Sequence, residues 1–265
     1  MIYIHKRRTP VAVKRKAEEI KNSSENGYMG IRLPEDSKKL RDLFEKMPKD
    51  DIRIALFREQ HGLCAYCMRR IEPWRESMKI EHYKALTRNK DGALDYQNYL
   101  GVCYGGEKDT DGKSRILCCD AARGDKNLTI NPWDERQMEA IAYYRDGEIF
   151  IRQDKGLDLG LVEQMQNDIE KVLVLNGKKD LKGKRIADTA TKLVANRRSI
   201  CDSVHSQFER WDKRNCLTVE FLQDKILRLE AMLNQDNISE ESYIGVRLYL
   251  YKRKMEKLKR RLVHK

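Results

Sequence analysis

The stretch that decides the fold opens with Cys64-Ala-Tyr-Cys67, contains Cys103, and closes with Cys118-Cys119-Asp-Ala-Ala-Arg123. A C-x2-C pair followed by further cysteines supplies the thiolates that a tetrahedral zinc site requires. Gly62 ends the preceding helical pattern and turns the chain directly into the first pair. The spacing therefore predicts a structural zinc ion, with Cys118 as the alternative to the last of its ligands, which are Cys64, Cys67, Cys103 and Cys119.

Free cysteines also occur as small buried hydrophobic residues, and we interpret Cys201 and Cys216 in this way because each stands alone in a helical pattern. For the clustered cysteines zinc is the better explanation, since a reducing compartment leaves thiols free to bind metal. The chain starts with basic residues after a short apolar run and shows no secretory signal, so we expect a cytoplasmic location. No apolar run approaches the roughly 18 residues of a membrane span, which predicts a soluble protein.

The chain is basic, with 54 Lys and Arg against 42 Asp and Glu in 265 residues and a net charge of +12. The excess is concentrated at the two ends: residues 1–16 carry six Lys or Arg and no acid, and residues 246–265 carry nine against one acid. Such concentrations indicate a polyanionic partner, most simply nucleic acid. The alternatives are that the ends are only solvated, or that the last helix binds an acidic surface of another protein.

Apolar periodicity predicts a mostly helical α+β protein. After a short opening strand, we expect helices from Pro10 to Lys21, over 37–47 and over 50–60. Asp146-Gly147 between two apolar runs predicts a β-hairpin. The last part is expected to be an antiparallel bundle of helices over 161–175, 182–211, 219–233 and 240–262. The domains predicted from these patterns are residues 1–61, 62–155 and 156–265.

Between the two halves of the cysteine set lie Lys79-Ile-Glu-His82 and Asn98-Tyr-Leu-Gly-Val-Cys103. Phosphodiester hydrolysis needs a base for the attacking water, a divalent ion on the phosphate and a rigid frame, for which Glu-His on a short strand and a zinc site are suited. Together with Cys119-Asp-Ala-Ala-Arg-Gly, these motifs resemble the HNH endonucleases and, among them, the PtuB-type nucleases of Septu and retron-associated anti-phage defence systems. The resemblance spans about residues 50–135 and implies a zinc-stabilised ββα-metal module within a largely helical protein.

The resemblance also implies a role for each motif residue. His82 takes the place of the general base, and Asn98 that of the asparagine that orients the base or the metal loop. Glu81 and Asp120 become ligands of a catalytic Mg²⁺ or Mn²⁺ ion, because such ions favour oxygen donors. The family often has histidine where Asp120 stands, and this departure fits an oxygen-ligated ion rather than a catalytic zinc.

The partners expected from the resemblance are a nucleic-acid substrate, a PtuA-like ATPase of the ABC or SMC type and, in the retron form, a reverse transcriptase with its multicopy single-stranded DNA (msDNA). Arg123 and Lys126, on the helix that Asp120 opens, are expected to contact phosphates. DNA and RNA are both open as substrates, and a toxin-like RNase on the same scaffold is a weaker alternative. The main alternative is a zinc-stabilised nucleic-acid-binding or assembly subunit without catalysis, in which His82 has no role.

Overall fold

Helices separated by three short hairpins form the protein in its computed structural model, which describes residues 1–108, 114–178, 180, 182, 192–234, 238–239 and 241–263. The described strands are β1 Lys79–His82, β2 Tyr99–Val102, β3 Gly106–Lys108, β4 Ser114–Leu117, β5 Ile141–Tyr143 and β6 Ile149–Ile151. The described helices are α1 Val11–Asn22, α2 Ser37–Glu45, α3 Lys49–Glu59, α4 Cys119–Arg123, α5 Glu135–Ala140, α6 Leu159–Asn167, α7 Leu193–Lys213, α8 Val219–Asn234 and α9 Ile244–Val263.

The helices predicted on either side of the cysteines are confirmed, with shifts at their ends. α1 follows Pro10, and α3 ends before Gly62, whose φ of +72° lets its N–H donate to the Phe57 carbonyl at 2.8 Å. α9 begins four residues later than predicted, because the Ser239 hydroxyl accepts a hydrogen bond from the Glu241 N–H in a turn ahead of the helix. Residues 183–191 of the predicted long helix lie outside the described residues, and its later part is α7.

The predicted opening strand is wrong, since residues 1–10 form no strand. The segment is instead fixed by separate contacts: the Ile4 N–H donates to the Pro132 carbonyl at 2.9 Å. Two residues on, the Lys6 ammonium lies 2.8 Å from both the buried Glu59 carboxylate and the Tyr99 carbonyl oxygen. Isolated backbone bonds and a buried ion pair therefore replace the ladder that a strand would need.

The hairpin predicted at Asp146-Gly147 is confirmed, and the short strand predicted to carry Glu81 and His82 is β1. β1 pairs antiparallel with β2 so that Glu81 faces Leu100 and His82 faces Tyr99. β5 pairs with β6 through a turn in which Gly147 has a φ of +90°, as the Asp-Gly signal requires. The mixed, mainly helical fold class is therefore confirmed, with short antiparallel strands around the cysteines.

The predicted four-helix bundle is wrong in one member. α9 packs against both α7 and α8, whereas α6 packs against strand β6 of the hairpin. One large core joins the cysteine segment, the β5–β6 hairpin and the C-terminal helices, and a second joins α1–α3 to the loop before β2. The boundary predicted at residue 155 is therefore not marked by a gap in the core. Within the described ranges, no helix has both the length and the apolar character needed to cross a bilayer.

Replacing Gly147 by alanine tests the fit between the hairpin turn and α7. An added Cβ would lie 2.3 Å from the Val194 carbonyl oxygen and 2.6 Å from the Arg198 backbone nitrogen. We expect the free energy of unfolding to fall by about 2–4 kcal/mol, since the left-handed backbone and the steric overlap both oppose a side chain. Gly156, with a φ of +70° and open space around an added Cβ, is the matched control and should lose about 1 kcal/mol. Equal losses in urea denaturation would contradict this account.

Candidate metal centre and active site

Four cysteine sulfurs converge at the base of the β1–β2 hairpin. The Sγ atoms of the group all lie within 4.8 Å of one another, and Cys67–Cys103 and Cys103–Cys119 are each separated by 3.7 Å. Neighbouring sulfurs of a tetrahedral site with Zn–S bonds of about 2.3 Å lie about 3.8 Å apart. The geometry therefore suits a metal ion such as zinc, and its ligands would be the predicted set of Cys64, Cys67, Cys103 and Cys119.

The four cysteines come from three places in the chain that the fold brings together. Cys64 and Cys67 lie in a tight turn after α3, in which the Cys64 N–H donates to the Arg69 carbonyl at 2.8 Å and the Arg69 N–H to the Cys67 sulfur at 3.4 Å. Cys103 directly follows β2, and Cys119 is the first residue of α4. Hydrogen bonds from neighbouring thiols, with Cys118 the strongest, lower the pKa of Cys103 well below its usual value. A lowered pKa favours the metal-binding thiolate at Cys103, whereas hydrogen bonds with Cys103 raise the pKa of Cys67 and of Cys119.

The choice between the two adjacent cysteines falls on Cys119. The Cys118 side chain is buried and contacts Cys103, but it does not belong to the group of four mutually close sulfurs. Its backbone N–H donates to the Gly105 carbonyl at 2.5 Å, which fixes the chain just before the ligand. Neither isolated cysteine belongs to the cluster: Cys201 is buried on α7 as predicted, whereas the prediction is wrong for Cys216, which is exposed between α7 and α8.

Two carboxylates meet on one face of β1, where the strand passes α4. Glu81 is buried and forms an ion pair with Arg123, while Asp120 lies 3.0 Å from the Lys79 ammonium. Burial, and then the adjoining Asp120 carboxylate, raise the pKa of Glu81 to about 8, although Arg123 acts in the opposite direction. The structure thus brings together the two residues predicted to bind a catalytic ion and gives each a cationic neighbour.

Arg123 does not have the surface position expected of a phosphate-binding residue. Its side chain is 1% exposed and donates to the Tyr66 hydroxyl at 3.2 Å, to the Glu81 carboxylate and to the carbonyl oxygens of His82 and Tyr83. The prediction that Arg123 contacts phosphate is therefore wrong, because its guanidinium is buried and its N–H groups donate to residues that join α4 to β1. Lys126 is exposed, so its proposed contact with phosphate stays a prediction.

His82 lies on the opposite side of β1 from Glu81, as alternation along a strand requires. Its ring stacks edge-on against Phe44 and Tyr99, with centroids 4.5 and 5.0 Å away, and its Nε2 lies 3.0 Å from the Ala93 carbonyl oxygen. Because a carbonyl oxygen only accepts hydrogen bonds, Nε2 carries the proton and the lone pair is on Nδ1. No described hydrogen bond or ion pair joins the His82 ring to Glu81 or Asp120.

Burial lowers the pKa of His82 to about 4. Nearby positive charges also lower it, whereas the hydrogen bond to the Ala93 carbonyl raises it. The imidazole is therefore neutral at physiological pH. The positive charges are those of Lys49, Arg41 and Arg123. The first two come from the start of α3 and from α2, far from the motif in the sequence.

Asn98 fastens the loop that connects the two strands. Its side-chain oxygen accepts from the Lys84 N–H at 2.8 Å, and its amide donates to the carbonyl oxygens of Lys84 and Gly92 at 3.0 Å. The Ala93 carbonyl that orients His82 belongs to the residue after Gly92. Asn98 therefore fixes the loop backbone next to the carbonyl that His82 contacts, and its orienting role in catalysis stays a prediction.

Sequence reasoning missed the residues that surround these groups. Lys79 could have been found, since it stands two positions before Glu81 and alternation places both side chains on the same face of a strand. Phe44, Arg41 and Lys49 carry no such signal, because in the sequence they are ordinary positions of an amphipathic helical pattern. Only the packing of α2 and α3 against the β1–β2 hairpin brings them to His82.

Serine variants of the two adjacent cysteines test the metal centre. Cys119→Ser should lose most of the zinc, about one ion per chain in the wild type, and unfold at a lower denaturant concentration, because a structural site contributes directly to folding. Cys118→Ser should retain the metal, and the exposed Cys216→Ser controls for nonspecific effects. Metal content by mass spectrometry with a urea titration measures both. Loss of zinc from Cys118→Ser with retention in Cys119→Ser would reverse the assignment.

Methionine variants of the two basic residues on and after α4 test the correction to Arg123. Arg123→Met leaves the buried Glu81 carboxylate without its cation, so we expect a loss of about 3–5 kcal/mol in the free energy of unfolding. Lys126→Met removes an exposed charge and should change stability by less than about 0.5 kcal/mol. If Arg123→Met unfolded like the wild type and lost only affinity for nucleic acid, a direct phosphate contact would be correct after all.

Comparison with known proteins adds no assignment to this chemistry. No protein-family model matches the chain, and no curated protein is significantly similar to it in sequence. The candidate site is therefore defined by its own residues: a four-cysteine cluster, a carboxylate pair and an oriented neutral histidine.

Proposed function

We propose that the protein is a metal-dependent endonuclease of the HNH type that hydrolyses phosphodiester bonds in nucleic acid. The observation that carries the proposal is the meeting of Glu81 and Asp120, from β1 and α4, on the strand whose other side carries His82 with a fixed tautomer. The cysteine cluster supports it, since Asp120 directly follows the ligand Cys119 and is held by the same turn of helix. The net charge of +12 suits a polyanionic substrate.

The donor set at the carboxylate pair fits Mg²⁺ or Mn²⁺. Two carboxylates from different elements adjoin each other, and burial, followed by the charge of Asp120, raises the pKa of Glu81 there. Oxygen donors of this kind are the usual protein ligands of hard divalent ions. An ion bound there would polarise a phosphoryl oxygen and stabilise the negative charge that develops on it.

The remaining steps fall to the protein's own side chains. His82 offers Nδ1 as the acceptor of a proton from the attacking water, because Nε2–H is committed to the Ala93 carbonyl. Asn98 fixes the loop that carries this carbonyl. Lys79, half-exposed beside Asp120, is placed to exchange its carboxylate partner for a phosphate oxygen.

A second candidate function, nucleic-acid binding or assembly without catalysis, is favoured by two observations. Each carboxylate of the pair already has a cation, Arg123 for Glu81 and Lys79 for Asp120. The His82 ring and the pair also lie on opposite sides of β1. In this function the zinc-bound module would be a binding platform and His82 only a packed side chain.

The wider role that we propose follows the resemblance to PtuB-type nucleases. The protein would be the toxic effector of an anti-phage system, held in check by a PtuA-like ATPase, with reverse transcriptase and msDNA as further partners in the retron form. The last turns of α9, with Arg253, Lys257 and Arg261 exposed, offer a basic surface for an acidic partner or for nucleic acid. This context rests on the resemblance alone.

Cleavage by the wild type and by His82→Ala separates the two functions. With Mn²⁺ present, we expect the wild type to cut single- or double-stranded DNA or RNA and His82→Ala to be slower by about 10²–10⁴-fold, the usual contribution of a general base. His205→Ala, a half-buried histidine on α7, is the matched control and should cut normally. Zinc content and thermal midpoint are measured on the same samples to show that all three are folded.

The opposite results favour the second candidate. Zinc-loaded wild type that binds nucleic acid but cuts none of the four substrates, alone or with a PtuA-like ATPase, would contradict the nuclease. Cleavage that His82→Ala leaves unchanged would remove His82 from the mechanism.

A further inference from the structure

A surface cleft lies beside the candidate active site, between the N-terminal helices and the loops of the cysteine module. Its volume is about 570 Å³, within the range of ligand-binding clefts. One wall is the entry to α2, and the other consists of the segments that follow β1 and α4. The lining residues are Leu33, Pro34, Ser37, Thr87, Arg88 and Asp125.

One face of α2 runs from this cleft to the candidate base. Ser37, Arg41 and Phe44 stand at positions i, i+4 and i+7, which share one side of a helix. Ser37 lines the cleft, and the Phe44 ring lies 4.5 Å from the His82 ring at the other end. Arg41 therefore stands between the cleft and His82, about one helical turn from each contact.

The basic residues along this path are available to an anionic ligand. Arg41 and Arg88 are exposed, and neither forms an ion pair with any residue that the structure describes. The acid in the cleft, Asp125, accepts a hydrogen bond from the Thr87 hydroxyl at 3.0 Å. Lys49 is less available, because its ammonium lies over the Phe44 ring and 3.1 Å from Glu45.

We propose that this cleft receives the sugar–phosphate backbone of a nucleic-acid strand and that Arg41 binds the phosphate next to the one cleaved at His82. The inference rests on the proposed nuclease function and adds the path of the substrate and a positioning residue to it. A guanidinium suits this task because its planar donors bind two phosphate oxygens at once. None of the described residues that line the cleft is aromatic, so we expect it to contact the backbone rather than to stack on bases, and recognition there would be independent of sequence.

Binding is measured in the His82→Ala background, so that bound nucleic acid stays intact. Fluorescence anisotropy with labelled single-stranded and duplex oligonucleotides gives affinity as a function of salt. We expect Arg41→Ala to weaken binding about tenfold and to reduce the slope of log K against log salt by about one, the loss of one phosphate contact. Lys39→Ala removes the same charge from an exposed position on the opposite side of α2 and should leave both quantities nearly unchanged.

Cleavage kinetics in the wild-type background complete the test. Arg41→Ala should raise KM more than it lowers kcat, and Arg41→Lys should restore part of the affinity, which loss of structure alone would not produce. Equal behaviour of Arg41→Ala and Lys39→Ala, in a protein with His82-dependent cleavage, would overturn the phosphate site and leave the nuclease intact. Binding that depends on Arg41 without any cleavage would support the phosphate site and overturn the nuclease. A preference for one of the two oligonucleotides identifies the strand form that the cleft accepts.

Discussion

Convergence of four cysteine sulfurs is the constraint on which the rest of the module depends. The ligands come from a turn after α3, from the end of β2 and from the start of α4, and these elements are too short to be stable alone. A metal ion held by the four thiolates would join these elements directly and add to the stability that they gain from the core around them. The larger core cluster includes these cysteines, and the second one packs α1–α3 against the loop before β2.

Arg123 extends that constraint from the metal centre to the carboxylates. Its guanidinium donates to Glu81 and to the backbone of His82 and Tyr83, so the last residue of the five-residue helix α4 is joined to the end of β1. Because Asp120 lies between Cys119 and Arg123, it is fixed at both ends. The position of the Asp120 carboxylate beside Glu81 thus follows from the buried side chains of Cys119 and Arg123 on either side of it in the chain.

The sequence allowed the cysteine ligands, the helices and the β5–β6 hairpin to be predicted because each depends on local signals. A C-x2-C spacing, an Asp-Gly turn and a glycine after α3 act within a few residues. The burial of Arg123 could not be predicted from the neighbouring sequence, since a basic residue on a polar helix is usually exposed. Arg123 is buried only because α4 packs on β1. The same holds for Phe44, which reaches His82 from a helix nearly forty residues away.

The Ala93 carbonyl has a consequence for how His82 moves. It accepts hydrogen bonds from both the imidazole Nε2–H, at 3.0 Å, and the Tyr99 hydroxyl, at 2.8 Å. A proton taken up by the ring is added at Nδ1, so the bond to Ala93 is present in the neutral and in the charged form alike. The side chain can therefore take up and release a proton without rotating, and its packing against Phe44 and Tyr99 is the same in both forms.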